Sequence, residues 1–99
     1  MLIVREVMYC KPGKVRPMVE KFVAMNKLSD KFGMPKMRIM TDVSAERYWT
    51  VVAEMQVESM DAFQKMMQDT PASKEFGEIM KDYHELVDWG RREIYNLEA

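Results

Sequence analysis

The sequence has few of the residues that mark disulfide-bonded, metal-binding or membrane-spanning proteins. Among 99 residues there is one cysteine, Cys10, and one histidine, His84. A lone cysteine excludes a disulfide within the chain, and a lone histidine without cysteine or carboxylate neighbours at ligand spacing gives no metal-binding pattern. No apolar run approaches the roughly 20 residues that a membrane span needs, and no signal peptide is visible. We therefore expect a cytoplasmic protein without a metal site.

Charge of one sign is not in excess either. Lysine and arginine total 15 against 16 aspartates and glutamates, so no net field draws the protein to nucleic acid or to an anionic membrane. The sequence also lacks a glycine-rich phosphate loop, a Ser-His-Asp arrangement and an aromatic-basic nucleic-acid motif. We therefore expect no nucleic-acid or membrane partner and no cofactor.

Methionine, by contrast, is abundant, with 12 residues. Its flexible thioether fills irregular gaps in a core and also suits adaptable binding surfaces. Core filling is the simpler interpretation, and a methionine-lined groove is the alternative. The length of the chain favours a single domain over residues 1–99.

Hydrophobic periodicity divides the chain into four strands and two helical regions. The predicted elements are a strand at 2–10, a helix at 14–32, strands at 36–42 and 47–57, a short helix from 60, a longer helix from 71 and a strand at 89–97. Ser59 is a plausible N-cap of the short helix. The Thr70-Pro71 pair predicts that the helix restarts with Pro71 at its first position. The second helical region is thus predicted to be split in two.

The order β-α-β-β-α-β predicts an α+β, ferredoxin-like fold, in which a four-stranded antiparallel sheet carries both helices on one face. If the other face were wet, the strands would alternate cleanly between apolar and polar residues. They do not. On the first strand the two faces are Leu2, Val4, Glu6, Met8 and Cys10 against Ile3, Arg5, Val7 and Tyr9. On the third they are Trp49, Val51, Ala53, Met55 and Val57 against Tyr48, Val52 and Glu54. Both faces therefore look covered, and we expect a homodimer joined through its sheets.

Charged residues within the strands then need partners. Arg5 and Glu6 point to opposite sides of the first strand, so they cannot pair with each other. We expect them at or near the interior between two sheets, paired across strands. The expected partners are Glu54 or Glu93 for Arg5, and Arg91 or Arg92 for Glu6. A structural ion pair and a ligand-binding charge remain alternatives for each.

Four segments give the chain a resemblance to a known group. They are "KPGKVRPMVEKF", "RYWTVVAEMQVESMDAF", "TPASKEF" and "RREIYNLEA". The chain resembles the dimeric α/β-barrel superfamily, which includes NIPSNAP-like proteins and antibiotic-biosynthesis-type monooxygenases. The resemblance implies two sheets closing into a barrel and a cavity that holds a small apolar or aromatic ligand. Haem-degrading members use a helix histidine, a tryptophan and a strand-one asparagine, and strand one has no asparagine here.

Two functional hypotheses follow. The first is a cofactor-independent, monooxygenase-like or isomerase-like enzyme that acts on a small apolar or aromatic molecule. Its candidate catalytic residues are His84, Tyr83, Trp89 and Arg5, and its candidate ligand-binding residues are Trp49, Tyr48, Glu6 and Glu54. The second is a non-catalytic ligand-binding or dimerisation module, in which His84 is a surface residue and the aromatics are core. We expect the Trp49 ring to be buried, in which case Trp49→Ala destabilises the protein by about 3 to 5 kcal/mol.

Overall fold

A four-stranded antiparallel sheet carries helices on one face in the computed structural model, which describes residues 1–99. The strands are β1 (Leu2–Cys10), β2 (Arg38–Thr41), β3 (Thr50–Val57) and β4 (Val87–Asn96). The helices are α1 (Val15–Phe32), α2 (Met60–Asp69), α3 (Lys74–Met80) and α4 (Tyr83–Leu86). The strand order is β2-β3-β1-β4. The predicted ferredoxin-like α+β fold is confirmed.

The core lies between the sheet and α1. Met8 of β1 pairs with Val51 of β3, and both side chains are buried. Met18 and Phe22 of α1 pack against them in one cluster. A second cluster places Phe63 of α2 against the far end of the same sheet face. The helices therefore cover one face of the two central strands, and the side chains at every second position of each strand point to that face.

The second helical region is divided more finely than predicted. Pro71 does not begin a helix, because Thr70 is the C-cap of α2 and the chain turns before α3. Ser73 is the N-cap of α3, where its hydroxyl accepts a hydrogen bond of 2.9 Å from Phe76 N–H. A break after Met80 then separates α4, so the region contains three helices. Ser59 is confirmed as the N-cap of α2, since its hydroxyl accepts from Ala62 N–H.

The third strand begins later than predicted, at Thr50. Trp49 has a φ of 63°, a left-handed conformation that ends extended pairing, and the residue is 44% exposed. Tyr48 is 85% exposed in the same loop. Two hydrogen bonds hold this loop in place of a longer strand. Asp42 accepts one from Thr50 N–H, and the Thr50 hydroxyl donates the other to Arg47 O. The expected burial of Trp49 is therefore wrong.

The charged pairs on β1 form as predicted. Arg5 lies 3.5 Å from Glu54 and 3.7 Å from Glu93, and Glu6 accepts a hydrogen bond from Arg92. The two pairs lie on opposite faces of the sheet, as strand alternation requires. The expectation that both lie between two sheets is wrong for Glu6, because its face is the one that the helices cover.

No helix combines the length and the apolarity needed to cross a membrane.

Candidate functional site

A cavity of about 170 Å³ lies between the sheet and the helices. It is lined by 16 residues, of which 11 are hydrophobic. Eight of the 12 methionines belong to this lining, namely Met8, Met25, Met34, Met37, Met55, Met66, Met67 and Met80. We call this space the methionine-lined cavity. Because thioether side chains are flexible and polarisable, its walls can adapt to the shape of a bound molecule.

Several elements build the walls of this cavity. The sheet supplies the floor, α1 one side, and the second helical region the other; Phe22 of α1 and Phe76 of α3 are both lining residues. The segment after α1 closes one end. Asn26 fixes that segment, because its side chain donates to Met37 O and accepts from Met37 N–H, each at 2.8 Å. Gly33, with a φ of 66°, ends α1 and lets the chain turn into this segment.

Besides Thr70, whose hydroxyl donates to Met34 Sδ, three polar side chains line the cavity. Glu6 of β1 and Arg92 of β4 are directly opposite in the strand register, and Arg92 Nε donates to Glu6 Oε1. Tyr83, the first residue of α4, brings its phenol to the same lining. Arg92 also lies over the Phe63 ring, 5.1 Å from its centre, which holds the guanidinium against α2. An apolar cavity with a few convergent polar groups is the usual composition of a small-molecule site.

These polar groups keep hydrogen-bonding capacity that the protein does not use. Only Oε1 of Glu6 and only Nε of Arg92 take part in a hydrogen bond, and the Tyr83 hydroxyl makes none. Burial is the main cause that raises the pKa of Tyr83 above its ordinary value of 10.0. The charge of Glu6 and the nearby Cys10 raise it further, while Arg92 lowers it. The phenol is therefore a protonated donor at neutral pH.

An open groove adjoins the cavity on its β4 side. Its volume is about 540 Å³, and α2 and β4 form its walls. Arg92 and Met67 line both the groove and the methionine-lined cavity. These two flexible side chains therefore lie where the cavity and the groove adjoin.

The other face of the sheet carries a second polar and aromatic cluster. The rings of Tyr9 and Trp89 are nearly parallel, with their centres 5.3 Å apart. The Arg47 guanidinium lies 4.4 Å from the centre of the Tyr9 ring. Arg91 donates to the Tyr9 hydroxyl and to Glu93. The hydrogen bond from Arg91 to Glu93 is the main cause that lowers the pKa of Glu93. We call this uncovered side of the sheet the open face.

No protein-family model and no curated protein matches the sequence. The structure does match solved structures over nearly all of its length. The chain shares its fold with NIPSNAP domain proteins.

One such protein, an uncharacterized NIPSNAP domain protein from Burkholderia xenovorans, superposes with a TM-score of 0.80 at 15% identity. The match covers 100% of this chain and 96% of that one. A NIPSNAP family protein from Agrobacterium tumefaciens gives 0.76 at 13% identity, covering 97% and 92% of the two chains. A candidate antibiotic biosynthesis monooxygenase from Nitrosomonas europaea gives 0.74 at 11% identity, covering 100% of both. The resemblance inferred from the sequence is thus confirmed for the NIPSNAP-like fold.

Within this NIPSNAP-like fold, the residues selected from the sequence divide between distant regions. Glu6 and Tyr83 line the methionine-lined cavity. Three others lie on the open face, where Arg5 pairs with Glu54 and Trp89 stacks on Tyr9. The remaining three are exposed: Tyr48 and Trp49 in the loop before β3, and His84 on α4. The His84 and Tyr83 rings are nearly perpendicular, with their centres 5.3 Å apart, but His84 does not line the cavity.

The sequence interpretation missed Arg92 as a site residue and treated the methionines chiefly as core. Arg92 was identified only as a partner for Glu6. Strand alternation contained the necessary signal, because Arg92 pairs in register with Glu6 on the face that Met8 and Val4 occupy. No group of three or more His, Cys, Asp or Glu side chains lies close enough together to hold a metal ion.

Proposed function

We propose that this protein binds a small, neutral aromatic molecule in the methionine-lined cavity. The observation that carries the proposal is the convergence of three polar side chains with unused hydrogen-bonding capacity on an otherwise apolar space. Polar groups that are turned toward an apolar space normally find partners. A ligand oxygen supplies one for Tyr83.

The size of the cavity limits the ligand to about one ring. An apolar cavity of about 150 Å³ in another protein holds benzene. The methionine-lined cavity, at about 170 Å³, therefore fits a single ring with a short polar substituent. Movement of the methionine side chains admits modest extensions of that substituent.

The charge balance of the cavity favours a neutral ligand. Glu6 and Arg92 neutralise each other through their hydrogen-bonded ion pair. A charged ligand loses its hydration on entry and finds no unpaired opposite charge, which makes its burial unfavourable. A neutral carbonyl loses far less hydration, and it accepts a hydrogen bond from the Tyr83 hydroxyl.

Calorimetric titration with a matched pair of compounds tests this selectivity. Phenylacetone and phenylacetate share the same ring and nearly the same shape, but only phenylacetate is charged. We expect phenylacetone to bind with a Kd below about 1 mM, equivalent to about −4 kcal/mol, and phenylacetate to bind at least about tenfold more weakly. Equal affinity for the two, or no binding of phenylacetone, would contradict the proposal.

Two variants on the same helix locate the binding. Met66 and Met60 both belong to α2, but only Met66 lines the cavity. Met66→Trp fills part of the space and is expected to weaken phenylacetone binding at least about tenfold, whereas Met60→Trp leaves it unchanged. Circular dichroism confirms that both variants keep the fold.

A second proposal concerns the open face, which we infer is the contact surface of a homodimer. The open face has no helix over it, and Trp89 is 54% exposed there. It also carries charges of both signs close together, since Arg5 lies between Glu54 and Glu93. Such a surface is self-complementary, as a twofold interface requires. Its aromatic content suits a second copy of the chain.

Sedimentation equilibrium tests the homodimer. At low micromolar concentration we expect twice the monomer mass of 11.7 kDa. Trp89→Glu places a charge on the open face and is expected to give monomers. Val23→Glu is the control, because Val23 is also partly exposed, at 42%, but belongs to α1 on the helical side. A monomeric wild-type protein, or monomers from Val23→Glu alone, would contradict this proposal.

A further inference from the structure

The sheet and the second helical region bring two complementary proton-transfer groups to one cavity. Glu6 offers a carboxylate oxygen, Oε2, that no protein donor contacts, and Tyr83 offers a hydroxyl that no protein acceptor contacts. They belong to different elements, β1 and α4, and both line the methionine-lined cavity. The same lining therefore offers a ligand carbonyl both an acceptor and a donor.

We propose that Glu6 and Tyr83 act as a base and acid pair that enolises carbonyl compounds bound in the cavity. The inference rests on the proposed function, since it needs the ligand in the methionine-lined cavity. It goes further by naming the reaction class, a proton transfer at the carbon next to a carbonyl, and the residues that perform it.

The reaction needs no oxidant, reductant or cofactor. Glu6 Oε2 takes a proton from the carbon beside the carbonyl, so a C–H bond breaks and an O–H bond forms on the carboxyl group. The electron pair moves to the carbonyl oxygen, where the hydrogen bond from Tyr83 stabilises the developing negative charge. Return of the proton to the same carbon regenerates the ligand, and its delivery to a conjugated carbon gives an isomer. No atom is gained or lost.

Arg92 is the positioning residue in this scheme. It holds Oε1 of Glu6 through Nε, which leaves Oε2 without a hydrogen-bond donor from the protein. Contact with the Phe63 ring limits the movement of the guanidinium. The largely apolar lining lowers the local polarity, which strengthens the electrostatic interactions around the enolate.

The other reactive side chains lie outside this arrangement. His84 is exposed and does not line the cavity. Cys10 is buried among core residues, and this burial raises the pKa of its thiol, which makes it a poor nucleophile. Glu6 and Tyr83 are therefore the pair that combines reactivity with access to the cavity.

Deuterium exchange of phenylacetone measures enolisation directly. In D₂O, enolisation replaces the hydrogens next to the carbonyl with deuterium, and ¹H NMR records the loss of their signals. We expect the wild-type protein to accelerate this loss over buffer. Glu6→Gln and Tyr83→Phe are each expected to slow the protein-dependent rate at least about tenfold, since a general acid or base typically contributes about 100- to 10,000-fold. Glu85→Gln, an exposed α4 neighbour, is expected to exchange at the wild-type rate.

Calorimetry on the same samples separates the two proposals. If phenylacetone binds but exchanges at the buffer rate, the enolisation pair is wrong while the proposed binding function stands. If phenylacetone does not bind, the proposed function falls, and this inference with it. Tyr83→Phe removes one oxygen without adding charge, so it provides a folded test even if Glu6→Gln, which leaves Arg92 unpaired, does not fold.

Discussion

Trp49 is the one residue other than glycine with a positive φ, at 63°. This conformation is strained for a side chain with a Cβ by about 1 to 2 kcal/mol, and glycine relieves the strain. We expect Trp49→Gly to be more stable than Trp49→Ala by about 1 kcal/mol, because both lose the partly exposed ring and only alanine keeps the strain. Urea unfolding measures the difference.

The neighbouring Tyr48 provides the control for this comparison. Its φ is not positive, so alanine is expected to be at least as stable as glycine there. If the alanine variant is at least as stable as the glycine variant at both positions, Trp49 is not strained. Trp49 also shows why the sequence misled: an aromatic residue before a β-rich run favours a strand, and the loop closure by Asp42 and Thr50 overrides that preference.

Tyr83 gives the site a distinctive response to high pH. Because its pKa is raised in the folded protein, the unfolded chain loses the phenol proton first as the pH rises. The stability that this residue contributes is therefore fully present below the unfolded pKa of about 10 and is lost as pH rises through the folded pKa. Absorbance titration of the phenolate, compared with Tyr83→Phe, should show one tyrosine that ionises above pH 10. If Tyr83→Phe instead removes a tyrosine that ionises at its ordinary pKa, this assignment is contradicted.

At the scale of elements, the caps decide where the second helical region begins and ends. The Ser73 hydroxyl caps α3, and this contact replaces the start at Pro71 that the sequence pattern predicted. Ser73→Ala is expected to lower the free energy of unfolding by about 1 kcal/mol, the usual contribution of an N-cap. Ser44→Ala, in the exposed loop between β2 and β3, is expected to change it by less than about 0.5 kcal/mol. If Ser73→Ala and Ser44→Ala lower the free energy of unfolding by the same small amount, measured with heat or urea, Ser73 does not cap the helix.

The strands were easier to predict than the helix boundaries. Alternation along β1 was enough to place Arg5 and Glu6 on opposite faces and to name their partners across the sheet. The divisions among α2, α3 and α4 depend on short-range competition among hydroxyl caps, turns and proline. Thr70, Pro71 and Ser73 are all compatible with a helix start, so the sequence alone did not determine which of them prevails.

At the scale of the whole molecule, element order was sufficient for the fold, and the sheet topology follows from it. The site was only partly predictable. Glu6 and Tyr83 were identified, but their meeting with Arg92 and eight methionines depends on how the helices cross the sheet. That crossing is set by side-chain packing, which periodicity does not encode. His84 and Trp89 were chosen for their chemistry, and the packing places them outside the cavity.

Methionine-methyl NMR tests directly whether a small neutral molecule occupies the methionine-lined cavity. With ¹³C-methyl methionine, each of the 12 residues gives its own signal. Addition of phenylacetone is expected to shift the cavity methionines most strongly, with the four outside the lining as internal controls: Met1, Met18, Met40 and Met60. Shifts that are absent, or that are largest at Met40 and Met60, would contradict the account.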